Sequence, residues 1–147
     1  MQSTRINEFL SVTGQITQAD IAEIAKSGFH TIINHRPDNE EPGQLDHDQA
    51  AAEAKKRGLD YHYQPVTTGT ITRAQVAEFE KMLLRSPQPI LAHCRSGTRC
   101  YLMWAATRVL LNDESALKLV AEAATKGYDL RVLPQLIDKL EAEKVEK

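Results

Sequence analysis

The residues best suited to chemistry stand together at positions 93 to 100, where the chain reads His93-Cys94-Arg95-Ser96-Gly97-Thr98-Arg99-Cys100. The apolar run Ile90-Leu91-Ala92-His93 leads into this segment and a long apolar stretch follows it, so it reads as a loop between a buried strand and a helix. Backbone N–H groups of such a loop and of a helix N-terminus converge on anions, and the helix dipole adds to their field. The same field favours the thiolate of Cys94, the form that attacks phosphorus or sulfur, while Arg99 offers a planar fork to an oxyanion. Arg95, Ser96, Gly97 and Thr98 complete the expected anion cradle, although Arg95 also reads as a solvated loop residue. His93 is expected to hold the loop by hydrogen bonds rather than to transfer protons. Cys100 reads first as a packing residue, with resolution of an oxidised Cys94, or acceptance of its sulfur, as the alternative.

The elements that must position this loop alternate between strand and helix patterns, with no repeat or low-complexity segment. Residues 9–12 predict a strand. Thr17 opens a helix through Ala25 that Gly28 closes, and a β-branched strand over 30–34 follows. A helix is expected over 46–56, ended by Gly58, then a strand over 61–66, then a helix over 73–84 capped by Thr72. Strand 90–93, a helix over 101–111 and two amphipathic helices near 115–125 and 132–143 complete the chain. The pattern is that of a single α/β domain over residues 1–147, with a central, mainly parallel sheet of about four strands flanked by helices. Open parallel sheets bind ligands at the carboxyl ends of their strands, which brings Cys94 near the loop that follows Asn34. That second loop reads Arg36-Pro37-Asp38-Asn39-Glu40-Glu41. Asp38 is its first candidate for a general acid, with ordinary turn chemistry as the alternative. Arg36 either adds charge to the anion site or pairs with Glu40 or Glu41.

Composition narrows the partners. The 147 residues carry 18 basic and 20 acidic side chains, a formal charge of -2, so nothing draws the whole molecule to nucleic acid or to an anionic membrane surface. No apolar run approaches the roughly 20 residues that cross a bilayer, and residues 1–20 lack a signal-peptide layout, which gives a cytoplasmic expectation. In that compartment the two cysteines are expected as thiols. No motif calls for a metal or a cofactor. The expected partner is a small oxyanion, a phosphoester or a sulfur donor, and the oligomeric state is left open.

Beyond the loop, Thr13-Gly14-Gln15-Ile16, Ile33-Asn34-His35-Arg36-Pro37-Asp38, Glu40-Glu41-Pro42-Gly43-Gln44 and Pro65-Val66 carry a resemblance across nearly the whole chain. The sequence resembles the cysteine-dependent phosphatase superfamily, and within it the phosphatase-like family also found as a domain of beta-lactamase-hydrolase-like proteins. The resemblance implies a dual-specificity-phosphatase-like fold, with Cys94 as nucleophile and Arg99 as oxyanion binder. Three positions depart from the usual pattern. Such phosphatases place five residues between cysteine and arginine, whereas Cys94 and Arg99 are separated by four. Because one residue turns a helical side chain by about 100°, Arg99 reaches the same place only from a contracted loop. The loop that usually supplies an aspartic acid corresponds to Thr67-Thr68-Gly69-Thr70-Ile71-Thr72, which has no carboxylate. The residue after the arginine, usually serine or threonine, is Cys100.

These departures keep two other readings open. Cys-Arg-Ser-Gly-Thr-Arg also resembles the active-site loop of single-domain rhodaneses, in which Cys94 would carry a persulfide. Sulfur transfer needs no strong acid to protonate an alkoxide. The third reading is a module that holds phosphate, sulfate or a phosphorylated partner without turnover.

Overall fold

Ile32 and Ile33 are neighbours on one strand and both have no exposed surface, which requires a packed layer on each face of the sheet. The computed structural model describes residues 1–143 and supplies those layers. Its strands are β1 (Thr4–Arg5), β2 (Leu10–Thr13), β3 (Thr31–Asn34), β4 (Asp60–Tyr63) and β5 (Ile90–His93). Its helices are α1 (Gln18–Lys26), α2 (His47–Lys56), α3 (Arg73–Arg85), α4 (Thr98–Asn112), α5 (Ala116–Thr125) and α6 (Leu133–Ala142). The sheet order is β1-β2-β5-β3-β4, with β1 antiparallel to β2 and the other pairs parallel. Ile32 and Leu91 pack on one side with Ile21 and Ile24 of α1 and Ala50 and Ala54 of α2. Ile33, Ile90 and Ala92 face the other side, towards Phe79 of α3, Tyr101 of α4 and the apolar faces of α5 and α6. Two helices open on reciprocal capping boxes, Thr17 with Asp20 and Thr72 with Gln75, each satisfying N–H groups that the helix cannot.

The sheet has five strands rather than about four. The additional strand, β1, is two residues long and presents no alternation to read. The expected strand over 61–66 is ordered as β4 only to Tyr63, yet its continuation stays attached, because Gln64 and Val66 donate N–H bonds to the carbonyls of Asn34 and His35 at 2.8 and 2.9 Å. The helix expected from Tyr101 begins at Thr98.

What positions the site is the register. Thr13 pairs with His93, His93 with Asn34, and Asn34 with Tyr63, so four parallel strands end on one row. Among the described residues no helix is long and apolar enough to cross a membrane.

Candidate active site

Cys94 is the first residue beyond that row and is 1% exposed, with its N–H donating to the carbonyl of Thr13 at 3.3 Å. The chain then reverses. Gly97 adopts a left-handed conformation, φ +93°, and donates its N–H to Cys94 Sγ at 3.1 Å. A side chain at Gly97 would be strained by that φ, and its Cβ would lie 3.2 Å from Tyr128 Oη. Helix α4 starts at the next residue, so its first turn falls back on the end of β5. Ser96 Oγ meets both the N–H and the hydroxyl of Thr98, at 3.4 and 3.2 Å. The loop is braced from the β2 side, where a Cβ on Gly14 would come within 2.8 Å of the Arg95 carbonyl and the Gln15 N–H donates to the same oxygen at 3.2 Å. Arg95 and Ser96 are exposed, while Thr98 and Arg99 are half-buried.

This geometry sets the charge of the two sulfurs apart. A hydrogen bond from the Cys100 thiol, opposed by burial and assisted by backbone N–H groups of Cys100, Ser96 and Gly97, brings the Cys94 pKa down to about 5. Burial, with the adjacent Cys94 adding to it, drives Cys100 well above the ordinary thiol value. The arrangement favours the thiolate at Cys94 and keeps Cys100, in the place where phosphatases usually carry a hydroxyl, protonated. Neither is in a disulfide, and Cys100 has no exposed surface.

Arg99 is the second residue of α4, and its guanidinium is fixed between two acceptors: the carbonyl of Val66 at 2.9 Å and the carboxylate of Glu40 at 3.2 and 3.3 Å. Glu40 also accepts from Nε of Arg36 at 2.8 Å. Arg36 has no exposed surface and spends its remaining N–H groups on Gln15, at 3.0 Å, and Glu41, at 3.2 Å. Of its two sequence readings, the structure displays the pairing with Glu40 and Glu41, and every nitrogen of the guanidinium has a protein partner. For Glu40, partial burial works against the charge, but the hydrogen bonds from Arg36 and Arg99 outweigh it and hold the carboxyl below its usual range. It is ionised at neutral pH and ties the β3 loop to α4. Glu40 positions Arg99 rather than donating a proton.

Asp38 is engaged elsewhere. Its two oxygens accept from the backbone N–H of His47 at 3.0 Å and from His47 Nδ1 at 2.5 Å, and its own N–H donates to Tyr63 Oη at 2.9 Å. The His47 ring stacks on Tyr63, centroids 3.9 Å apart, and the bond to Asp38 raises its pKa. These bonds run to β4 and α2, not to residues 94–99. Asp38, Asp46 and His47 also bring metal-type ligand atoms within 4.8 Å of one another, but Asp46 caps α2 and the other two bond each other.

Replacing Glu40 tests the positioning role. Glu40→Gln removes the charge shared by Arg36 and Arg99, and losing a hydrogen bond to a charged group costs about 1.5–3 kcal/mol. We expect a stability loss of that size in urea titrations. If the activity is phosphate ester hydrolysis, KM should rise more than kcat falls, because the fork that holds the oxyanion has lost its mount. Unchanged KM with lowered stability would reduce Glu40 to scaffolding.

Two neutral histidines lie under the loop. Burial, helped by neighbouring His35, lowers His93 to about 3, and a backbone contact with Cys94 only partly opposes it. Burial likewise lowers His35 to about 4, against a bond between its Nδ1 and the Gln64 carbonyl at 3.0 Å. Neither ring nitrogen of His93 has a partner in good geometry among the described residues, so the expected hydrogen-bonding support is not what this ring supplies. It fills space beside Cys94. Because both folded values lie below the unfolded one of about 6.5, unfolding takes up protons. The stabilisation is whole above pH ~6.5 and declines by up to ~1.4 kcal/mol per pH unit per histidine as pH falls towards the folded values. His35→Gln should flatten the dependence of urea midpoint on pH in that window; an unaltered slope would show that the ring does not titrate there.

The five-stranded, mostly parallel sheet flanked by helices is an α/β fold shared with protein-tyrosine-phosphatase-like proteins, among them Tk-PTP at TM-score 0.73 and 20% identity over 97% of each chain. Residues 4–111 match the family described as the phosphatase-like domain of beta-lactamase hydrolase-like proteins, and the chain belongs to that family. It is 34% identical over 142 residues, 97% of its length, to a beta-lactamase hydrolase-like protein of Agrobacterium fabrum, of which it spans only 33%. A crystal structure of a candidate phosphatase from Neisseria meningitidis is similar at TM-score 0.83 and 33% identity, over 93% of this chain and 96% of that one. The fold is shared more distantly with Pseudomonas aeruginosa TpbA, solved as a cysteine-to-serine form in complex with phosphotyrosine, at TM-score 0.61 and 16% identity over 92% and 90% of the two chains.

Proposed function

We propose that the chain is a cysteine-dependent phosphatase acting on aryl phosphate monoesters, within one domain and in the cytoplasm. The observation that carries this is Cys94 Sγ, buried at the end of β5 and held at 3.1 Å by the Gly97 N–H in a braced loop that favours its thiolate. Cys94 Sγ attacks phosphorus and the ester oxygen leaves with its electron pair. Water then cleaves the thiophosphate, returning the thiolate and releasing inorganic phosphate. Residues 95–98 offer their N–H groups to the phosphoryl oxygens, and Arg99, anchored by Glu40, binds two of them as a fork. Phosphotyrosine, which the distant neighbour TpbA holds, is a substrate of this class.

Sulfur transfer is the second reading, favoured by one feature. The turn over residues 67–72 contains the short helical turn Thr68–Thr70 and no carboxylate. A persulfide on Cys94 would need no acid there. Parallel assays of 4-nitrophenyl phosphate hydrolysis, and of thiosulfate with cyanide as acceptor, separate the readings. Phosphate release without thiocyanate supports the first; thiocyanate without phosphate release overturns it; neither activity, with phosphate bound in calorimetry, leaves a binding module.

A further inference from the structure

We propose that a cleft beside the Cys94 loop is a leaving-group subsite that selects a positively charged neighbour, with Glu41 as the selecting residue. The favoured ester is then a phosphotyrosine flanked in its peptide by lysine or arginine. The inference deepens the phosphatase reading and rests on it. The sheet order sets the place. Because β5 lies between β2 and β3, the Cys94 loop emerges between the loop after β2 and the loop after β3. Those two loops meet where Arg36 Nη1 donates to Gln15 Oε1 at 3.0 Å. A cleft of about 320 Å³ opens there, with Gln15, Gln18, Glu41, Gln44 and Gln49 among its walls. One wall is tied to the anion loop itself, since the Gln15 N–H donates to the Arg95 carbonyl at 3.2 Å. Glu41 is tied to it through Arg36, which shares Glu40 with Arg99. An ester whose phosphate sits over residues 95–99 has this cleft beside it for the rest of the molecule.

The hydrogen bonds already made by the walls decide what fits. Gln15 is spent, taking Arg36 on Oε1 and giving Nε2 to the Ile16 carbonyl at 2.8 Å. Gln44 is spent too, on the Glu40 N–H at 3.1 Å and the Pro37 carbonyl at 2.9 Å. Gln18 gives its Nε2 to Glu53 at 3.1 Å, which leaves Oε1. Glu41 receives Arg36 on Oε1 at 3.2 Å, which leaves Oε2 on a side chain 50% exposed. Gln49 is exposed and adds one neutral amide. The groups left over are mostly acceptors and carry one negative charge, and among the described residues no lysine, arginine or histidine lines the cleft. Arg36 offers nothing to an anion, because it has no exposed surface and every nitrogen of its guanidinium is occupied. An ammonium or guanidinium group donates to such a set, whereas a second phosphate or an acidic side chain finds no cation there. Leu45 also lines the cleft and gives the methylenes of a lysine or arginine an apolar surface.

The test uses the intact chain and phosphotyrosine peptides that differ only in carrying lysine, glutamine or glutamate on both sides of the phosphotyrosine. The expected kcat/KM falls in the order lysine, glutamine, glutamate, with about fivefold between the ends, the reach of an exposed ion pair, and the spread narrows as salt is raised. The difference should sit in KM, because the contact is made equally in the ground state and the transition state. Glu41→Gln should flatten the series and Glu41→Lys should reverse it, both variants being checked for folding by circular dichroism. If Glu41→Lys does not fold, Glu41→Gln and the salt dependence decide. The subsite is overturned by a flat series in the parent, by an order that Glu41→Lys leaves unchanged, or by a preference for glutamate, which would give the choice to the exposed Arg95. Calorimetry on Cys94→Ser with the same peptides separates the subsite from the reaction. If the parent hydrolyses none of the peptides but Cys94→Ser binds them in the lysine-first order, the phosphatase reading falls and the cleft remains as a binding site for such peptides. Hydrolysis without that order sinks the subsite alone. Neither hydrolysis nor binding would sink both.

Discussion

Cys94→Ser is expected to lower 4-nitrophenyl phosphate hydrolysis by about 10⁴-fold or more, roughly 5.5 kcal/mol of barrier. The loop is organised around a negative sulfur. The Gly97 N–H donates to Cys94 Sγ at 3.1 Å and the Cys94 pKa is lowered to about 5, so at neutral pH the proposed nucleophile is charged before substrate arrives. A serine hydroxyl is not ionised at that pH and gains nothing comparable from the same donors. Alkylation gives an independent readout: the rate of iodoacetamide labelling at Cys94 should rise through pH 5 and be flat by neutrality, because the thiolate fraction saturates there. An ordinary thiol would keep gaining rate up to pH ~8.5. Labelling centred near that higher value, or substantial hydrolysis by Cys94→Ser, would remove Cys94 from the centre of the chemistry.

The parts of the site legible in the sequence are those whose chemistry is local. An apolar strand, a cysteine, a glycine and a helix start are contiguous, so the strand–loop–helix layout around Cys94 can be read directly. Strands β2, β3 and β5 announce themselves as short apolar or β-branched runs and β4 through its tyrosines, whereas β1 has two residues and no periodicity. The start of α4 was hidden because Thr98 and Arg99 interrupt the apolar pattern, and it is the left-handed Gly97 that fixes it. Arg36 and Glu40 stand four apart, and their pairing follows from proximity in one turn. Glu40 and Arg99 stand 59 residues apart, and nothing short of the β3–β5 adjacency joins them. The same applies to Gly14, whose need for no side chain is set by the Arg95 carbonyl on the neighbouring strand's loop. Asp38, read as a candidate acid or a turn residue, shows the converse limit. A carboxylate in a turn at the ligand-binding edge looks available until the structure places His47 across both its oxygens, a partner the sequence pattern does not mark.

The engaged Asp38 and the acid-free turn at 67–72 together predict how the enzyme should choose substrates. Expelling an alkoxide requires a proton delivered to the leaving oxygen, and a positioned acid typically contributes 10²–10⁴-fold, about 3–5 kcal/mol. An aryl oxide departs with much less help, because its charge is stabilised by the ring. Hydrolysis of 4-nitrophenyl phosphate or phosphotyrosine should therefore exceed that of phosphoserine by about 10²-fold or more in kcat/KM at equal pH. Glu40 cannot close this gap, since Arg36 and Arg99 hold it ionised. Asp38 can close it only by releasing His47. Asp38→Asn should accordingly cost stability, about 1.5–3 kcal/mol for a charged hydrogen bond lost, and leave the aryl rate within about threefold of the parent. If Asp38→Asn lowers phosphoserine turnover about 10²-fold while sparing the aryl ester, the carboxylate does leave His47 and serve as the acid. Equal turnover of aryl and alkyl esters that survives Asp38→Asn would require an acid on another residue, and the acid-free account of the reaction would fall.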